Sequence, residues 1–166
     1  MSVISAAAAR DLLLYMLWAD RTTLRAVREV TPEHLRREAG VSFGSLFGTM
    51  VHILGSQRRW LARFQGHAPA HIPVPDDFPD LISWIHAWEE TASEIEAFLA
   101  SLTDEQLAAS LTWTDSEGAT VTRPLWQPVL HLVNHCSYHR GQIVSLLRQM
   151  GYQPPSTDLI RYFGER

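Results

Sequence analysis

The sequence predicts an all-α fold: a four-helix bundle with long connections and a candidate short β-hairpin before its fourth helix. Four long segments carry apolar residues at helical spacing, and proline and glycine clusters separate them. The connections run to roughly ten to twenty residues, which indicates a bundle with some long crossovers. A chain of 166 residues buries about two-thirds of its unfolded surface, so we expect one domain over residues 1–166.

The first two helices are marked by their apolar stripes and their ends. The first is expected from Ser5 to Val30, and Pro32 closes it because proline disfavours helical geometry in the residue before it. The second is expected from Phe43 to Phe64, with Ser42 as its N-cap. The apolar positions of the first helix are Leu13, Leu14, Leu17, Leu24 and Val27, and those of the second are Phe43, Leu46, Phe47, Met50, Leu54 and Leu61.

A proline-rich loop, residues 66–79, leads to the third helix, which is expected from Phe78 to Ser101. Its apolar side holds leucine, isoleucine, phenylalanine and tryptophan, while its glutamates form a solvated face. Threonine-rich segments 111–114 and 119–122 flank a glycine-bearing turn, a pattern typical of a β-hairpin.

The fourth helix is expected to begin between Pro124 and Pro128, since proline is tolerated in a first turn, and to end near Met150, before Gly151. After it, the segment 152–166 carries enough apolar side chains to dock on the bundle. The expected core face of this helix is Val129, Leu132, Cys136, Ile143 and Leu147.

Composition excludes several classes of function. The net charge is −4 and no basic run exists, so we expect no nucleic-acid partner. All 14 basic residues are arginine, which removes lysine-based catalysis. Cys136, the one cysteine, cannot form an intrachain disulfide. With no signal peptide or membrane span in the sequence, we expect a cytoplasmic protein that does not contact a membrane.

Three histidines in the fourth helix are the main chemical signal. His131, His135 and His139 stand four residues apart, so they lie along one helix face beside the core face. Imidazoles one turn apart can reach one metal ion at about 2 Å. The pattern fits either a metal site or a polar edge of the bundle, and a metal would need a ligand from another helix.

His52 is the best candidate for that further ligand. It lies in the middle of the second helix, on a stripe whose other members are small. Small residues beside a histidine allow close approach or leave open volume next to the ring. Those members are Ser45, Gly48, Gly55 and Ser56.

The segment Tyr138-His139-Arg140-Gly141-Gln142 near the end of the fourth helix, with His135 before it and His52 far upstream, resembles the DinB/YfiT-like family. Its members are small bacterial four-helix bundles with a metal site. The resemblance covers nearly the whole chain, including the opening around Trp18.

The resemblance implies that His52, His135 and His139 bind one divalent ion, nickel or zinc. His131 is then an additional group near the site or lining its pocket. It also implies that Asp20 orients a ligand imidazole. Gln142, one turn past His139, is expected to approach the site.

Three neutral imidazoles leave a coordination position for water, which is typical of catalytic sites. We therefore expect a metal-dependent enzyme acting on a small molecule, either hydrolase-like or a thiol-dependent transferase; the second option follows from the resemblance alone. The histidine motif contains no carboxylate to act as a base, so no catalytic residue is assigned. The alternative is a non-catalytic metal-binding stress-response homodimer, and a third is a helical interaction module without metal.

Overall fold

The computed structural model describes residues 2–68 and 71–165, and Pro69 and Ala70 of the proline-rich loop lie outside this range. In order, the elements are α1 (Ala6–Val27), α2 (Pro32–Arg36), α3 (Leu46–Phe64), a 3₁₀ turn (Pro75–Asp77), α4 (Leu81–Ser101), α5 (Asp104–Ala108), β1 (Ser110–Thr114), β2 (Thr120–Pro124), α6 (Trp126–Gln149) and α7 (Leu159–Gly164). The predicted helical bundle is confirmed, and so is the hairpin before its last long helix.

Helix α6, the predicted fourth helix, is the central element of the bundle. It packs against α1 on one side and α3 on the other, while α4 packs against both α3 and α1. Its predicted core face is confirmed, because Val129, Leu132, Cys136, Ile143 and Leu147 are all buried. The residues of α6 on either side of that face are the ones that build the polar sites described below.

Helices α3 and α4 begin where a side chain caps them, and this corrects two predicted starts. Ser45, not Ser42, accepts the hydrogen bond that starts α3, from the N–H of Gly48, so α3 begins three residues later than Phe43. Asp80 caps α4 through the N–H of Ser83, so that helix begins at Leu81 and not at Phe78. In both cases the capping oxygen satisfies an N–H that the first turn leaves free.

The first helix ends at Val27, three residues before its predicted end, because Arg28 already closes the last turn. Two short helices, α2 and α5, were not predicted; Thr31 and Thr103 cap them. The predicted docking of the C-terminal segment is confirmed, since Tyr162 of α7 is buried against Tyr15 and Trp18 of α1.

The hairpin pairs β1 and β2 antiparallel, with Trp113 opposite Val121. It packs on the bundle through β1 against α3 and β2 against α6. Within the described part of the chain, no helix is both long and apolar enough to cross a membrane.

Candidate metal centre

Three imidazoles meet between α3 and α6. His52 projects from the middle of α3, and His135 and His139 come from successive turns of α6. The ring centroid of His52 lies 5.0 Å from that of His135 and 4.5 Å from that of His139, and the two α6 rings are 4.4 Å apart. We call these three residues the histidine cluster.

The nitrogens of the histidine cluster are close enough to share one ion. Each ring offers a nitrogen, and all three nitrogens lie within 4.8 Å of one another. The Nε2 atoms of His52 and His135 are 2.9 Å apart. A metal ion binds imidazole nitrogen at about 2.0–2.1 Å, so two nitrogens at this separation can both reach it.

Two rings of the histidine cluster, those of His52 and His135, favour the neutral form that binds metals. Burial, followed by the nearby imidazoles and Arg59, lowers the pKa of His52 to about 4. The same causes, burial first, lower the pKa of His135 to about 4. Near pH 7 these two rings therefore carry a lone pair and not a second proton.

Gln142 fixes the orientation of His139. His139 is buried, and its Nδ1 lies 2.8 Å from Oε1 of Gln142, one turn further along α6. Because an amide oxygen only accepts, Nδ1 carries the proton and donates it, which leaves Nε2 as the ring's acceptor nitrogen. A partner that sets the tautomer in this way is usual behind a metal-binding histidine.

Two residues that sequence reasoning did not assign to the site also touch these rings. Phe43 stacks on His52 with ring centroids 3.7 Å apart and an angle of 14° between the planes. The hydroxyl of Ser56 lies 3.0 Å from Nε2 of His135. Phe43 was placed on the apolar stripe of a helix, whereas it precedes α3 and covers His52 from the loop; its spacing carried no signal of this.

Glycine at position 48 of α3 makes room for the chain around His52, whereas glycine at position 55 does not. A Cβ on Gly48 would lie only 2.0 Å from the carbonyl oxygen of Phe43. A Cβ on Gly55 would lie 3.4 Å from Ile72 and Pro73, an ordinary contact. The small residue at 48 therefore lets the loop that carries Phe43 approach α3, and it does not serve packing between two helices.

His131 lies beside the histidine cluster and outside it. Its ring centroid is 5.5 Å from that of His135 and 5.4 Å from that of Trp60. Although part of its surface is exposed, desolvation on the covered side lowers its pKa. It lines a neighbouring pocket together with Trp60.

Asp20 is placed in a separate buried network and touches none of the three rings. Its Oδ1 accepts from Arg140 at 2.8 Å, and its Oδ2 accepts from Gln57 at 2.7 Å. Arg140 also donates to the hydroxyl of Tyr15 at 3.2 Å. We call Tyr15, Asp20, Gln57 and Arg140 the arginine network; it ties α6 and α3 to α1.

Among the described residues, the histidine cluster offers three candidate metal ligands and no fourth. Among the described residues, no further histidine, cysteine or carboxylate joins the group. Cys136 is buried on the core face, and burial raises the pKa of its thiol well above the usual value, so it stays protonated and apolar in character. The arrangement suits a divalent ion with open coordination positions, such as catalytic zinc sites have.

Comparison with known proteins agrees with the fold. The model of the DinB family matches residues 1–165. Protein DinB of Bacillus subtilis (strain 168) is 24% identical over 158 residues, which cover 87% of this chain and 87% of that protein.

Two solved structures share the fold. A DinB-like protein from Bacillus cereus ATCC 10987 has a TM-score of 0.61 at 22% identity, covering 87% of this chain and 94% of its own. A DinB-like protein from Bacillus subtilis has a TM-score of 0.65 at 19% identity, covering 89% of this chain and 96% of its own. At these identities the likeness shows the fold alone.

Proposed function

This chain belongs to the DinB family, and from that premise we propose that it is a metal-dependent enzyme acting on a small molecule, either hydrolase-like or a thiol-dependent transferase. His52, His135 and His139 are the proposed ligands of one divalent ion. Gln142 is the residue that orients His139.

One observation carries this proposal: the described residues bring three imidazoles together without a fourth protein ligand. Structural zinc sites are closed by four protein ligands, whereas catalytic sites keep a position for water or substrate. A divalent ion in such a site lowers the pKa of coordinated water and polarises a substrate oxygen or sulfur. The chain itself supplies neutral rings, an oriented His139 and a stacked Phe43 over His52.

The alternative function is metal binding without turnover, in a stress-response homodimer. Its support is that no hydrogen bond joins an aspartate or glutamate to the histidine cluster in the described chain, so no carboxylate is held there as a general base. Both functions use the same ligands, and turnover alone separates them.

Three finer features are part of the proposal. Nickel or zinc is the proposed metal, because both accept imidazole ligands readily. The protein is proposed to be a cytoplasmic homodimer, which light scattering after size-exclusion chromatography would test. We propose neither a nucleic-acid partner nor a membrane partner.

Metal content tests the ligand assignment. We expect the untagged protein to hold about one nickel or zinc ion per chain, and His135→Ala or His139→Ala to hold less than about a tenth of that. His131→Ala is the matched control, since it removes an imidazole one turn before His135 but outside the cluster. Full retention of metal in both ligand variants would sink the assignment.

Turnover tests the enzymatic part of the proposal. The metal-loaded protein would be screened against simple esters and against electrophiles offered with a low-molecular-weight thiol. Saturable activity that disappears with a chelator and returns with the metal supports an enzyme. Stoichiometric metal without any activity in either screen favours the binding function.

A further inference from the structure

A pocket of about 340 Å³ opens beside the histidine cluster. It lies between the C-terminal half of α3, the hairpin and the first turns of α6, and nothing in the proposed metal chemistry uses it. Its volume is within the usual range for small-molecule sites. Its lining includes Arg59, Arg63, Arg123, Trp60, Trp113 and His131.

The lining is strongly cationic. Three guanidinium groups face one carboxylate, that of Asp115. Oδ1 of Asp115 accepts from the backbone N–H groups of Glu117 and Ala119, so this carboxylate is held by the hairpin turn. The positive charge of the pocket is therefore compensated only in part by the chain itself.

Arg59 is the least compensated of these cations. It is half-buried, and its guanidinium has no hydrogen bond or ion pair among the described residues. It lines the pocket together with His131, whose ring stands next to that of His135. Holding such a group out of water without a counter-charge is unfavourable unless a ligand supplies one.

Arg63 is fixed in place next to Arg59. It donates to the carbonyl oxygen of Thr114 at 2.9 Å, and its guanidinium carbon lies 4.7 Å from the ring centroid of Trp60. The two guanidinium groups line the same pocket and repel each other, and burial followed by the charge of Arg59 lowers the pKa of Arg63. An anion between them would relieve that repulsion.

Aromatic surface completes the pocket. The rings of Trp60 and Trp113 meet edge to face with centroids 5.2 Å apart. His131 stands on the side of the metal centre, with its ring centroid 5.5 Å from that of His135. A molecule in this pocket would thus have an anion site and apolar walls at one end, and the histidine cluster beyond His131.

We propose that this pocket binds an oxyanion group of the substrate, a carboxylate or a phosphate, with Arg59 as its main partner and with Trp60 and Trp113 packing on an attached flat apolar part. Planar guanidinium groups match both oxyanions, often through two parallel hydrogen bonds. The inference rests on the proposed function only in treating the bound molecule as the substrate; the anion site itself exists without a metal.

The test uses the full-length, metal-free protein, titrated calorimetrically with phenyl phosphate, with benzoate and with neutral benzamide. We expect saturable binding of at least one anion and much weaker binding of benzamide. Arg59→Gln is expected to weaken anion binding about tenfold or more, the effect of losing a charge-assisted hydrogen bond. Arg59→Lys, which keeps the charge but not the planar fork, should lie between the two.

Arg25→Gln is the matched control: it removes an exposed arginine of α1, away from the pocket, and should leave both affinities within about twofold. Circular dichroism checks that every variant is folded. Binding of phenyl phosphate alone, or of benzoate alone, identifies the oxyanion and supports the proposal.

No saturable binding of either anion, or equal binding by wild type and Arg59→Gln, would overturn it. Binding that appears only in zinc-loaded protein and is lost in His139→Ala, but not in Arg59→Gln, would place the anion on the metal and also overturn it. Metal content, measured in zinc-loaded wild type and variants, reports separately on the histidine cluster.

Discussion

The histidine cluster and the arginine network share the helices α3 and α6, to which the network adds α1, and they differ in how completely their polar groups are paired. On α3, Ser56 contacts the histidine cluster while the next residue, Gln57, belongs to the arginine network. On α6, His139 and Arg140 are divided between the two sites in the same way. In the arginine network a buried cation meets a buried carboxylate at 2.8 Å. In the histidine cluster three imidazoles meet, and no carboxylate of the described residues joins them.

The difference separates stability from function. The arginine network holds its own counter-charge, so it stabilises the fold without any ligand. Oε1 of Gln57 is its one buried side-chain atom that lacks a hydrogen-bond partner in the described residues. The histidine cluster holds acceptor nitrogens that a cation would satisfy. Removing a group should therefore destabilise the protein in the first region, and should change what the protein binds in the second.

Arg140→Gln breaks the arginine network and has the largest expected effect. Arg140 is 2% exposed, and the replacement leaves Asp20 buried without its cation. We expect the free energy of unfolding to fall by about 3–5 kcal/mol, the usual cost of removing one partner of a buried ion pair. Urea denaturation measures it.

Arg148→Gln, an exposed position two turns further along α6, is the control for Arg140→Gln and should change stability by less than about 0.5 kcal/mol. A loss below about 1 kcal/mol in Arg140→Gln would show that the ion pair is not a main support of the fold.

Acid should destabilise the metal-free protein through the histidine cluster. His52 and His135 have pKa values of about 4 in the folded chain, against about 6.5 when unfolded. Between these values the unfolded chain binds more protons, so the free energy of unfolding falls as the pH is lowered from 6.5 to 4. After allowance for solvent screening and for coupling of the rings, we expect a loss of about 2–3 kcal/mol.

Denaturation midpoints across this pH range measure the acid effect. His135→Gln should flatten the profile, whereas His86→Gln, which removes an exposed histidine of α4, should leave it unchanged. A profile as steep in His135→Gln as in wild type would mean that other groups cause the acid loss.

Gly48→Ala tests the loop that covers the histidine cluster. The added Cβ would meet the carbonyl oxygen of Phe43 at 2.0 Å, so the loop must move and the stacking of Phe43 on His52 must change. Forced shifts of this kind cost about 1–3 kcal/mol. We expect a lower melting temperature together with weaker metal binding.

Gly141→Ala is the matched control for Gly48→Ala, because its Cβ would meet nothing within 4 Å on α6. It should be neutral or stabilise the protein by up to about 1 kcal/mol. Equal stability and equal metal affinity in Gly48→Ala and wild type would show that the contact with Phe43 does not constrain the site.

The sequence predicted the parts of this comparison that depend on helical periodicity. The spacing of four residues put His135 and His139 on one face, and the apolar pattern identified the core face of α6 beside them. It also indicated that His52 was unusual among small residues. Those are local properties of single helices, and the structure brings the three rings together as the pattern allowed.

The parts that were missed depend on contacts between elements. Ser42 and Ser45 are the same residue type, so the sequence does not distinguish them as caps. In the structure the chain turns at Gly44, with φ of +75°, and Ser45 caps α3. Asp20 was expected to orient a ligand imidazole, but in the structure its carboxylate pairs with Arg140. Arg59 lines a cationic pocket because the hairpin packs on α3. Helical periodicity carries no information about that contact.

Gln142→Ala gives the smallest expected effect and distinguishes the two regions most cleanly. The change removes the acceptor 2.8 Å from Nδ1 of His139 and leaves all three ligand rings in place. Loss of such an orienting partner lowers metal affinity about 10- to 100-fold, and we expect the lower end here because Gln142 is partly exposed. Stability without metal should change by less than about 1 kcal/mol, since no buried charge loses its partner.

Competition with a chromophoric chelator measures the metal affinity of Gln142→Ala, and Gln149→Ala, at the exposed end of the same helix, is the control. If Gln142→Ala binds metal as tightly as Gln149→Ala, the tautomer of His139 is set by the metal itself and not by its neighbour.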